Sequence, residues 1–356
     1  MPSVTFLLEC LAVAAATAVI SFAMAGWVSN LAKKWKAVDA PTGGRKIHTS
    51  AMPLWGGVGI GASILILLGV LAVNGLLVRD DLRPMQLVGF AVAVAILVVG
   101  GMIDDRWPLP PIVQLLSPLL AAFVVVATGT GIIQVADPLH NGVLSLEWWR
   151  IWKISLPSDL FTILWLFVAT YATKLLDGLD GLVSGIAVIG AGMVGALTLS
   201  PVYFQPSVAL LSAIVGGGFL GFLPRNAHPA KQFLGEAGST LAGFSLGFLA
   251  IVSSAKVAIA LAVLAIPLAD ALIVVGGRLV RGVAPWKGDD THLHFRLLKA
   301  GIPHRRVVLL LWAVSFAAGI MALSLQTRGK MFLVATLIVL TALASWLAQR
   351  LARRLP

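Results

Sequence analysis

The stretch Lys174-Leu175-Leu176-Asp177-Gly178-Leu179-Asp180-Gly181-Leu182 lies between two apolar runs, residues 160–176 and 183–199. The apolar runs predict membrane helices, so the two carboxylates stand where one helix ends and the next begins. A separation of three residues puts both carboxylates on one face of a helical turn, and the glycines let a ligand approach the backbone closely. The pattern indicates a site for a hard cation or a polar ligand, with a capped helix end in a solvated loop as the alternative.

The composition excludes a soluble globular protein. The 356 residues are 59% hydrophobic and 12% charged, with a mean hydropathy of +0.96. The net charge is +11, but the cations flank apolar runs. We therefore attribute the charge to membrane topology and to attraction of anionic lipid or substrate, and we expect no nucleic-acid partner. Cys10 is the only cysteine in the sequence, which excludes an intrachain disulfide and a cysteine-based metal site.

Eleven apolar runs are each long enough to cross about 30 Å of hydrocarbon. Because the membrane interior cannot hydrogen-bond the backbone and no period-2 alternation is present, we expect helices. The predicted fold class is an all-α, polytopic integral membrane protein, with residues 1–356 forming a single domain. The first run is interpreted as a retained helix and not as a signal peptide. The predicted spans are residues 4–28, 54–78, 85–103, 112–129, 159–176, 183–200, 207–224, 239–254, 256–280, 307–325 and 331–349.

Basic residues predict the orientation of the chain. Most lysines and arginines lie in one set of alternate loops, which is expected to face the cytoplasm. The N-terminus is then outside and the C-terminus inside. Five of the six histidines and most acidic residues lie on the same side, which argues for a polar site built from several loops. These acidic residues are Asp39, Asp104, Asp105, Asp177, Asp180, Glu236, Asp289 and Asp290.

Two further features lie within or between the predicted spans. Asp270 lies inside the ninth span, where a carboxylate costs a few kcal/mol and needs a functional or pairing reason. Pro267 should kink the same helix. The external segment around Trp148 and Trp149 is interpreted as an interfacial aromatic belt or a short amphipathic segment.

The first two cytoplasmic loops contain residues suited to phosphate groups. Arg45, Lys46 and His48 precede the pair Gly56-Gly57, which predicts an anion held by cations, backbone amides and a helix dipole. The alternative is an ordinary positive-inside loop. Asp104 and Asp105 are adjacent at a helix end and repel each other unless Arg106 or a cation compensates, for which magnesium on substrate phosphates is the natural candidate. A solvated helix end is the alternative.

The later loops add the components of a nucleotide site. Asn226, Lys231, Phe233 and Glu236 supply an amide, a cation, an aromatic ring and a carboxylate flanked by glycines. These groups suit base stacking, phosphate neutralisation and metal binding. His292 and His294 flank one residue in the last loop, but we do not expect zinc, because no third and fourth nitrogen or sulfur ligand is evident.

Taken in order, these motifs resemble those of the polyprenyl-phosphate N-acetylhexosamine-1-phosphate transferases. That family includes the bacterial GlcNAc-1-phosphate transferases and the phospho-MurNAc-pentapeptide translocase. The resemblance covers almost the whole chain, and eleven spans suit the GlcNAc branch. The blocks that carry it are Arg45-Lys46-x-His48 with Gly56-Gly57, Asp104-Asp105, Asp177-Gly-x-Asp180-Gly, residues 226–239, and Asp289-x-x-His292-x-His294.

The resemblance implies a role for each matching residue. One of Asp104 and Asp105 would activate the lipid phosphate. Asp177 would lie near the metal and the diphosphate, and Asp180 near the uracil. Glu236 stands where the family usually has an aspartate that binds magnesium. The remaining substrate-contacting residues implied by the match are Phe233 and Asn226 in the nucleotide loop, and His292 and His294 near the diphosphate.

Several positions depart from the family pattern. Lys174 stands where the family often has asparagine, and could neutralise a phosphate or pair with Asp177. Glu236 is one methylene longer than the usual aspartate, and Phe295 stands where GlcNAc enzymes usually have a histidine. These departures leave the family intact, weaken the choice of sugar and suggest a divergent branch.

The implied reaction transfers a phospho-N-acetylaminosugar, expected to be GlcNAc-1-phosphate, from a UDP-sugar to undecaprenyl phosphate. The products are a polyprenyl-diphospho-sugar and UMP, with Mg²⁺ as the cofactor and Mn²⁺ as the alternative ion. The implied setting is the bacterial plasma membrane at the first membrane step of a cell-envelope glycan pathway, with a homodimer as a candidate assembly. The alternatives are a phospho-MurNAc-pentapeptide transferase, a cation-coupled transporter, in which carboxylates would lie at the midplane, and an inactive scaffold.

Overall fold

The computed structural model describes residues 2–40, 51–77, 81–137, 142–151, 154–253, 257–284 and 290–353. Within these ranges the chain is almost entirely helical. The helices are α1 Val4–Lys34, α2 Gly56–Val73, α3 Pro84–Arg106, α4 Pro111–Gln114, α5 Leu116–Ala127, α6 Ser158–Leu176, α7 Leu182–Thr198, α8 Pro206–Asn226, α9 Gly235–Val252, α10 Ala258–Val263, α11 Ala265–Val280, α12 Leu293–Lys299, α13 His304–Ser324 and α14 Thr327–Ala352.

The prediction of an all-α, polytopic membrane protein is confirmed. Eight helices of the described residues are long and apolar enough to cross a membrane, and Pro111–Ala127 and Leu182–Thr198 are shorter apolar segments. The number eleven stays a prediction. The ninth predicted span is divided, since α10 ends at Val263 and α11 begins at Ala265. Pro267 has no N–H to donate to the carbonyl of Val263, so a helix cannot run regularly through this point.

α9 lies at the centre of the bundle. In the apolar segment of α9, 78% of the residues are buried inside the protein. In those of α1 and α14 only 28% are buried, which leaves most of their surface for lipid. Small residues let the neighbouring backbones approach α9. A methyl group on Gly57 would overlap the backbone of Gly238, and one on Gly101 would overlap Ala237. Close approach of this kind is typical of helix packing in membranes, and it brings α2 and α3 against the N-terminal end of α9.

The structure corrects the role expected for Gly56 and Gly57. Their backbone N–H groups donate to the carbonyls of Phe233 and Leu234, at 3.2 and 2.8 Å. These amides at the start of α2 are therefore already used and do not face an anion. The glycine pair instead allows α2 to dock on the loop before α9, which contains residues of the candidate site.

Short strands connect some of the helices, which the sequence did not predict. Three antiparallel pairs join Val38–Asp39 (β1) to Met52–Pro53 (β2), Gln134–Ala136 (β3) to Val143–Ser145 (β4), and Glu147–Ile151 (β5) to Ile154–Pro157 (β6). They lie between the predicted spans, where water is available to the backbone. The aromatic segment is the strand β5, on which Trp148 and Trp149 are each 73% exposed, and its membrane contact stays a prediction.

Candidate active site

The C-terminal ends of α3 and α6 meet the N-terminal end of α9. This arrangement brings together Asp104, Asp105, Asp177 and Glu236, which we call the acidic cluster, and places Lys174 beside them. Residues far apart in the sequence therefore share one site at one end of the bundle.

Asp105 is held by the start of α9. Its Oδ1 accepts a hydrogen bond from the Glu236 backbone N–H at 2.8 Å, as a carboxylate does at a helix N-terminus. Its Oδ2 is buried and has no hydrogen-bond partner among the described residues. Gly235 has a φ of +70°, and a methyl group there would overlap Asp105 Oδ2. Glycine is therefore required for Asp105 to lie against α9 with one oxygen free.

Asp104 is held by neutral donors. Its Oδ1 accepts from the Leu109 backbone N–H at 2.7 Å, and both of its oxygens accept from Gln114 Nε2, at 3.1 and 3.2 Å. Arg106 is not the compensating cation, because its guanidinium lies over the Trp107 ring, 5.2 Å from the centroid, and forms no described ion pair with either aspartate. The two aspartates therefore depend on other groups for charge compensation.

Lys174 provides a positive charge to the acidic cluster. Its Nζ lies 2.6 Å from Glu236 Oε1 and donates to Gln114 Oε1 at 2.9 Å. Of the two roles expected for Lys174, pairing with Asp177 is replaced by pairing with Glu236, and neutralising a phosphate stays a prediction. The ammonium also lies 5.1 Å from the centre of the Tyr171 ring.

Asp177 ends α6 and is partly buried. Burial raises the pKa of its carboxyl to about 7, and the negative charges of Glu236 and Asp180 contribute to that rise. The elevated pKa of Asp177 thus comes first from burial and second from the two neighbouring carboxylates. Carboxylate oxygens are the ligands that Mg²⁺ prefers, so the chemistry of Asp177 and Glu236 suits a hard divalent cation, and their binding of one stays a prediction.

A second group of carboxylates pairs with histidines. Asp270 accepts from the Leu293 backbone N–H at 2.7 Å, and its Oδ2 lies 2.8 Å from His292 Nδ1. The pairing reason expected for Asp270 is therefore found: it fixes His292 and the start of α12. This contact leaves Nε2 of His292 as its second ring nitrogen for other partners.

His294 lies against the Asp177-Gly178 turn. It is fully buried, and neither ring nitrogen has a hydrogen-bond partner among the described residues. A methyl group on Gly178 would overlap His294 Nε2. Burial lowers the pKa of His294 to about 4, which Asp270 opposes and the neighbouring His292 and His304 reinforce. The imidazole is thus neutral at pH 7 and keeps one nitrogen able to donate and one able to accept.

Asp180 belongs to a separate cluster that the sequence did not reveal. Its Oδ2 lies 2.8 Å from His228 Nδ1 and accepts from the Ala230 backbone N–H at 3.1 Å. Candidate ligand atoms of Asp180, His228 and His304 all lie within 4.8 Å of one another. However, the two imidazole rings are stacked, with centroids 4.0 Å apart and planes 18° apart. A metal lies in the plane of each imidazole that binds it, so these rings cannot share an ion without one of them turning.

The nucleotide-loop residues differ in their surroundings. Asn226 is buried, and its Oδ1 accepts from the Gly181 N–H and the Ser184 hydroxyl while its Nδ2 donates to the Gln232 carbonyl. Asn226 therefore holds this loop to the Asp180-Gly181 turn, and direct substrate contact by its side chain stays a prediction. Lys231 is exposed and Phe233 is partly buried. Arg45, Lys46 and His48 lie outside the described residues.

Gln114 is a further site residue that the sequence did not reveal. It lies next to Asp104 and Lys174, although it is 60 residues away from Lys174 in the sequence. One signal was available: it is a polar residue at the start of an apolar run that follows the aspartate pair. That signal alone does not separate Gln114 from an ordinary interfacial glutamine.

Comparison with known proteins gives a consistent result. The family model for glycosyl transferase family 4 matches residues 87–254, which include the whole acidic cluster. A probable undecaprenyl-phosphate N-acetylglucosaminyl 1-phosphate transferase of Bacillus subtilis (strain 168) is 30% identical over 88% of this chain and 84% of its own. The decaprenyl-phosphate N-acetylglucosaminephosphotransferase of Mycolicibacterium smegmatis is 29% identical, over 94% of this chain and 87% of its own.

A third relative has a different name and a shorter match. The phospho-N-acetylmuramoyl-pentapeptide-transferase of Halalkalibacterium halodurans is 34% identical over 44% of this chain and 48% of its own. The long matches, the family match and the polytopic helical fold agree with the motifs. The chain belongs to the glycosyl transferase family 4 of polytopic membrane phosphotransferases.

Proposed function

We propose that the protein transfers GlcNAc-1-phosphate from UDP-GlcNAc to a polyprenyl phosphate, with undecaprenyl phosphate as the expected acceptor. The observation that carries this proposal is an apolar cavity of about 140 Å³ that borders the acidic cluster. Ile103, Val113 and Leu116 line its apolar wall, and Asp104 and Glu236 lie on its polar side. A lipid phosphate needs this combination, because its chain requires an apolar wall and its phosphate requires a charged site.

The reaction exchanges one P–O bond for another. An oxygen of the acceptor phosphate attacks the β-phosphorus of the UDP-sugar, and the bond from that phosphorus to the bridging oxygen breaks. UMP leaves with the bridging oxygen. Such transfers require in-line positioning and charge neutralisation more than covalent help from the protein. Asp105, with its buried and unpartnered Oδ2, is the group proposed to hold the proton of the acceptor phosphate if that phosphate binds as a monoanion.

The cofactor proposed for this site is Mg²⁺, with Mn²⁺ as the alternative. Asp177 and Glu236 would hold the ion, and when bound it would neutralise charge on the diphosphate. The raised pKa of Asp177, about 7, supports this assignment, because the carboxyl is buried beside the negative charges of Glu236 and Asp180, which a cation would offset. Lys174 would contact a phosphate oxygen, and His292 or the neutral His294 would donate a hydrogen bond to the diphosphate.

The nucleotide would bind beside the turn at residues 177–181, on the side away from the apolar cavity. Asp180 is proposed to lie near the uracil and Phe233 to stack on it, with exposed Lys231 near the phosphates. GlcNAc is the favoured sugar, because the relatives that match most of the chain are named for it. The relative named for MurNAc-pentapeptide transfer matches 44% of this chain.

An enzymatic assay tests this function. Purified protein in detergent, with undecaprenyl phosphate, UDP-GlcNAc and Mg²⁺, should release UMP and form a diphospho-lipid at equal rates. Omitting the lipid, or adding excess chelator, should stop both products. UDP-MurNAc-pentapeptide and other UDP-sugars form the donor panel. Failure to release UMP with every donor, from protein that is folded by its melting curve, would overturn the proposal.

The location proposed is the bacterial plasma membrane, with the acidic cluster on the cytoplasmic side. The distribution of basic loop residues supports an external N-terminus and an internal C-terminus. In a variant lacking Cys10, a cysteine replacing Arg305 should react only with reagents that reach the cytoplasm. A cysteine replacing Gln326 should react only from outside. The reverse labelling pattern would invert the proposed orientation. A homodimer is the assembly that crosslinking would test.

A further inference from the structure

Gln114 lies between the acidic cluster and the apolar cavity, and all of its polar atoms are used. Its Nε2 donates to both oxygens of Asp104, at 3.1 and 3.2 Å, and to the Leu109 carbonyl at 3.1 Å. Its Oε1 accepts from Lys174 Nζ at 2.9 Å. Gln114 is thus the bridge between an anion and a cation of the site.

The amide group suits this position for a simple reason. A carboxamide donates and accepts at the same time, so it can donate to a carboxylate and accept from an ammonium. Glutamate at this position would keep an acceptor for Lys174 but would place a second carboxylate beside Asp104. Lysine would donate to Asp104 but would place a second ammonium beside Lys174. Each replacement would therefore break one half of the bridge.

The second partner of Lys174 explains why the bridge has consequences for the reaction. The ammonium is shared between Glu236, at 2.6 Å, and Gln114, at 2.9 Å. If a divalent cation binds Glu236, it neutralises much of the charge of that carboxylate and weakens the ion pair between Glu236 and Lys174. Gln114 Oε1 then remains as the described acceptor that keeps the ammonium beside the acidic cluster.

We propose that Gln114 is a positioning residue of the transferase. It holds Asp104 and the Lys174 ammonium at a fixed distance from each other beside the apolar cavity. This inference rests on the proposed function. Gln114 also lines the cavity beside Val113 and Leu116, so the same side chain borders the expected lipid and the charged groups. The relative position of Asp104 and the Lys174 ammonium determines where the acceptor phosphate lies.

An exchange of the two side chains tests this inference. The variants are Gln114→Ala, Gln114→Lys, Lys174→Gln and the double variant Gln114→Lys/Lys174→Gln, with Gln326→Ala as the matched control. Gln326 is exposed at the start of α14 and lies outside the acidic cluster. The double variant preserves one ammonium and one amide. The ammonium introduced at position 114 can donate to Asp104, while the amide introduced at position 174 donates to Glu236 and accepts from that ammonium.

Each single variant at 114 or 174 should lose about 10²-fold in kcat, which is typical of a misplaced reacting group, with a melting temperature close to that of wild type. The exchange should recover at least about tenfold over Gln114→Lys, which a residue that only supports the fold would not do. Gln326→Ala should match wild type in both measurements.

Two outcomes would overturn the inference: full activity in Gln114→Ala, or an exchanged variant that is no better than Gln114→Lys. A loss of kcat that follows the loss of folded protein, as judged by melting, would also assign Gln114 to the fold alone. An inactive wild type would instead overturn the proposed function, so the two failures are distinguishable.

Discussion

Two groups of carboxylates lie at the same end of the bundle, and they differ in charge compensation. In the acidic cluster, the described ion pairs give four carboxylates one ammonium, that of Lys174. In the second group, Asp180 and Asp270 each lie 2.8 Å from an imidazole Nδ1 and accept from a backbone N–H. We call Asp180 and Asp270 the paired carboxylates.

The difference supports the proposal that an external cation would bind the acidic cluster. A buried charge without a partner is costly, and a protein retains it where a ligand or the chemistry supplies the compensation. Asp180 and Asp270, which each have both an imidazole and a backbone N–H as partners, are suited to fixing loops and helix starts. We therefore propose cation and phosphate chemistry for the acidic cluster, and positioning of the surrounding loops mainly for the paired carboxylates.

The largest effect is expected at the aspartate pair. Asp105→Asn and Asp104→Asn should each lower the rate of UMP release by about 10²-fold or more, because they remove a proton acceptor or an anion from the reacting site. Asp159→Asn is the control. Asp159 lies at the other end of α6, where its Oδ2 accepts from the Ser155 N–H at 2.8 Å. The assignment is wrong if both site variants keep wild-type rates.

A graded effect is expected at Glu236. Glu236→Gln should abolish metal-dependent turnover, because an amide oxygen is a far weaker ligand for Mg²⁺ than a carboxylate. Glu236→Asp restores the residue usual in the family and should retain part of the activity, with a changed preference between Mg²⁺ and Mn²⁺. The rate of UMP release at several concentrations of Mg²⁺ and of Mn²⁺ measures both the remaining activity and the ion preference. Unchanged rate and ion requirement in Glu236→Gln would leave Asp177 and the aspartate pair to hold the ion.

A smaller, pH-dependent effect is expected from Asp177. Because its pKa is raised to about 7, the folded protein holds a proton there below pH 7, and a bound cation must displace it. The affinity for the cation should therefore fall by up to tenfold for each pH unit below pH 7, and it should be constant above pH 7. Without the cation, the free energy of unfolding should change with pH in the opposite direction. Between about pH 4 and 7 the folded protein binds more protons than the unfolded chain, so its stability falls as the pH rises.

The matched variant for this effect is Asp177→Asn. The rise in melting temperature on adding Mg²⁺ should grow from pH 6 to pH 8 in the wild type. In Asp177→Asn, the Mg²⁺-induced rise should be small and should lose this dependence on pH. An equal dependence on pH in both proteins would show that another group titrates.

The smallest effect is expected among the paired carboxylates. His228→Gln keeps a donor for Asp180, and the His228 side chain is 37% exposed, so the pair should contribute less than about 1 kcal/mol. UMP release should stay within about a factor of five of wild type, as should the KM for the UDP-sugar. A complete loss of activity without a change in melting temperature would place His228 in the catalytic machinery and remove the distinction between the two groups.

The sequence predicted the helical membrane fold well, because long apolar runs have one stable form in a bilayer. It failed where structure depends on contacts between distant segments. Gly56 and Gly57 had the pattern of an anion site, but they serve close packing against the loop before α9. The strands around Trp148 were missed because strands of four or five residues give too weak an alternating pattern.

The candidate site shows the same limit. Motifs located the acidic residues, since each lies at the end of an apolar run. They could not reveal that Lys174 pairs with Glu236 instead of Asp177, because that choice depends on how α6 and α9 pack. Gln114 and the stack of His228 on His304 were missed for the same reason.

The most direct test of the account is Mn²⁺ binding measured by electron paramagnetic resonance on purified protein without substrates. The proteins are the wild type, Asp177→Asn/Glu236→Gln and His228→Gln. The account predicts a protein-bound Mn²⁺ signal in the wild type that Mg²⁺ displaces, its loss in the double variant, and its retention in His228→Gln. Equal binding in all three folded proteins, or loss in His228→Gln alone, would contradict the claim that the acidic cluster is the cation site.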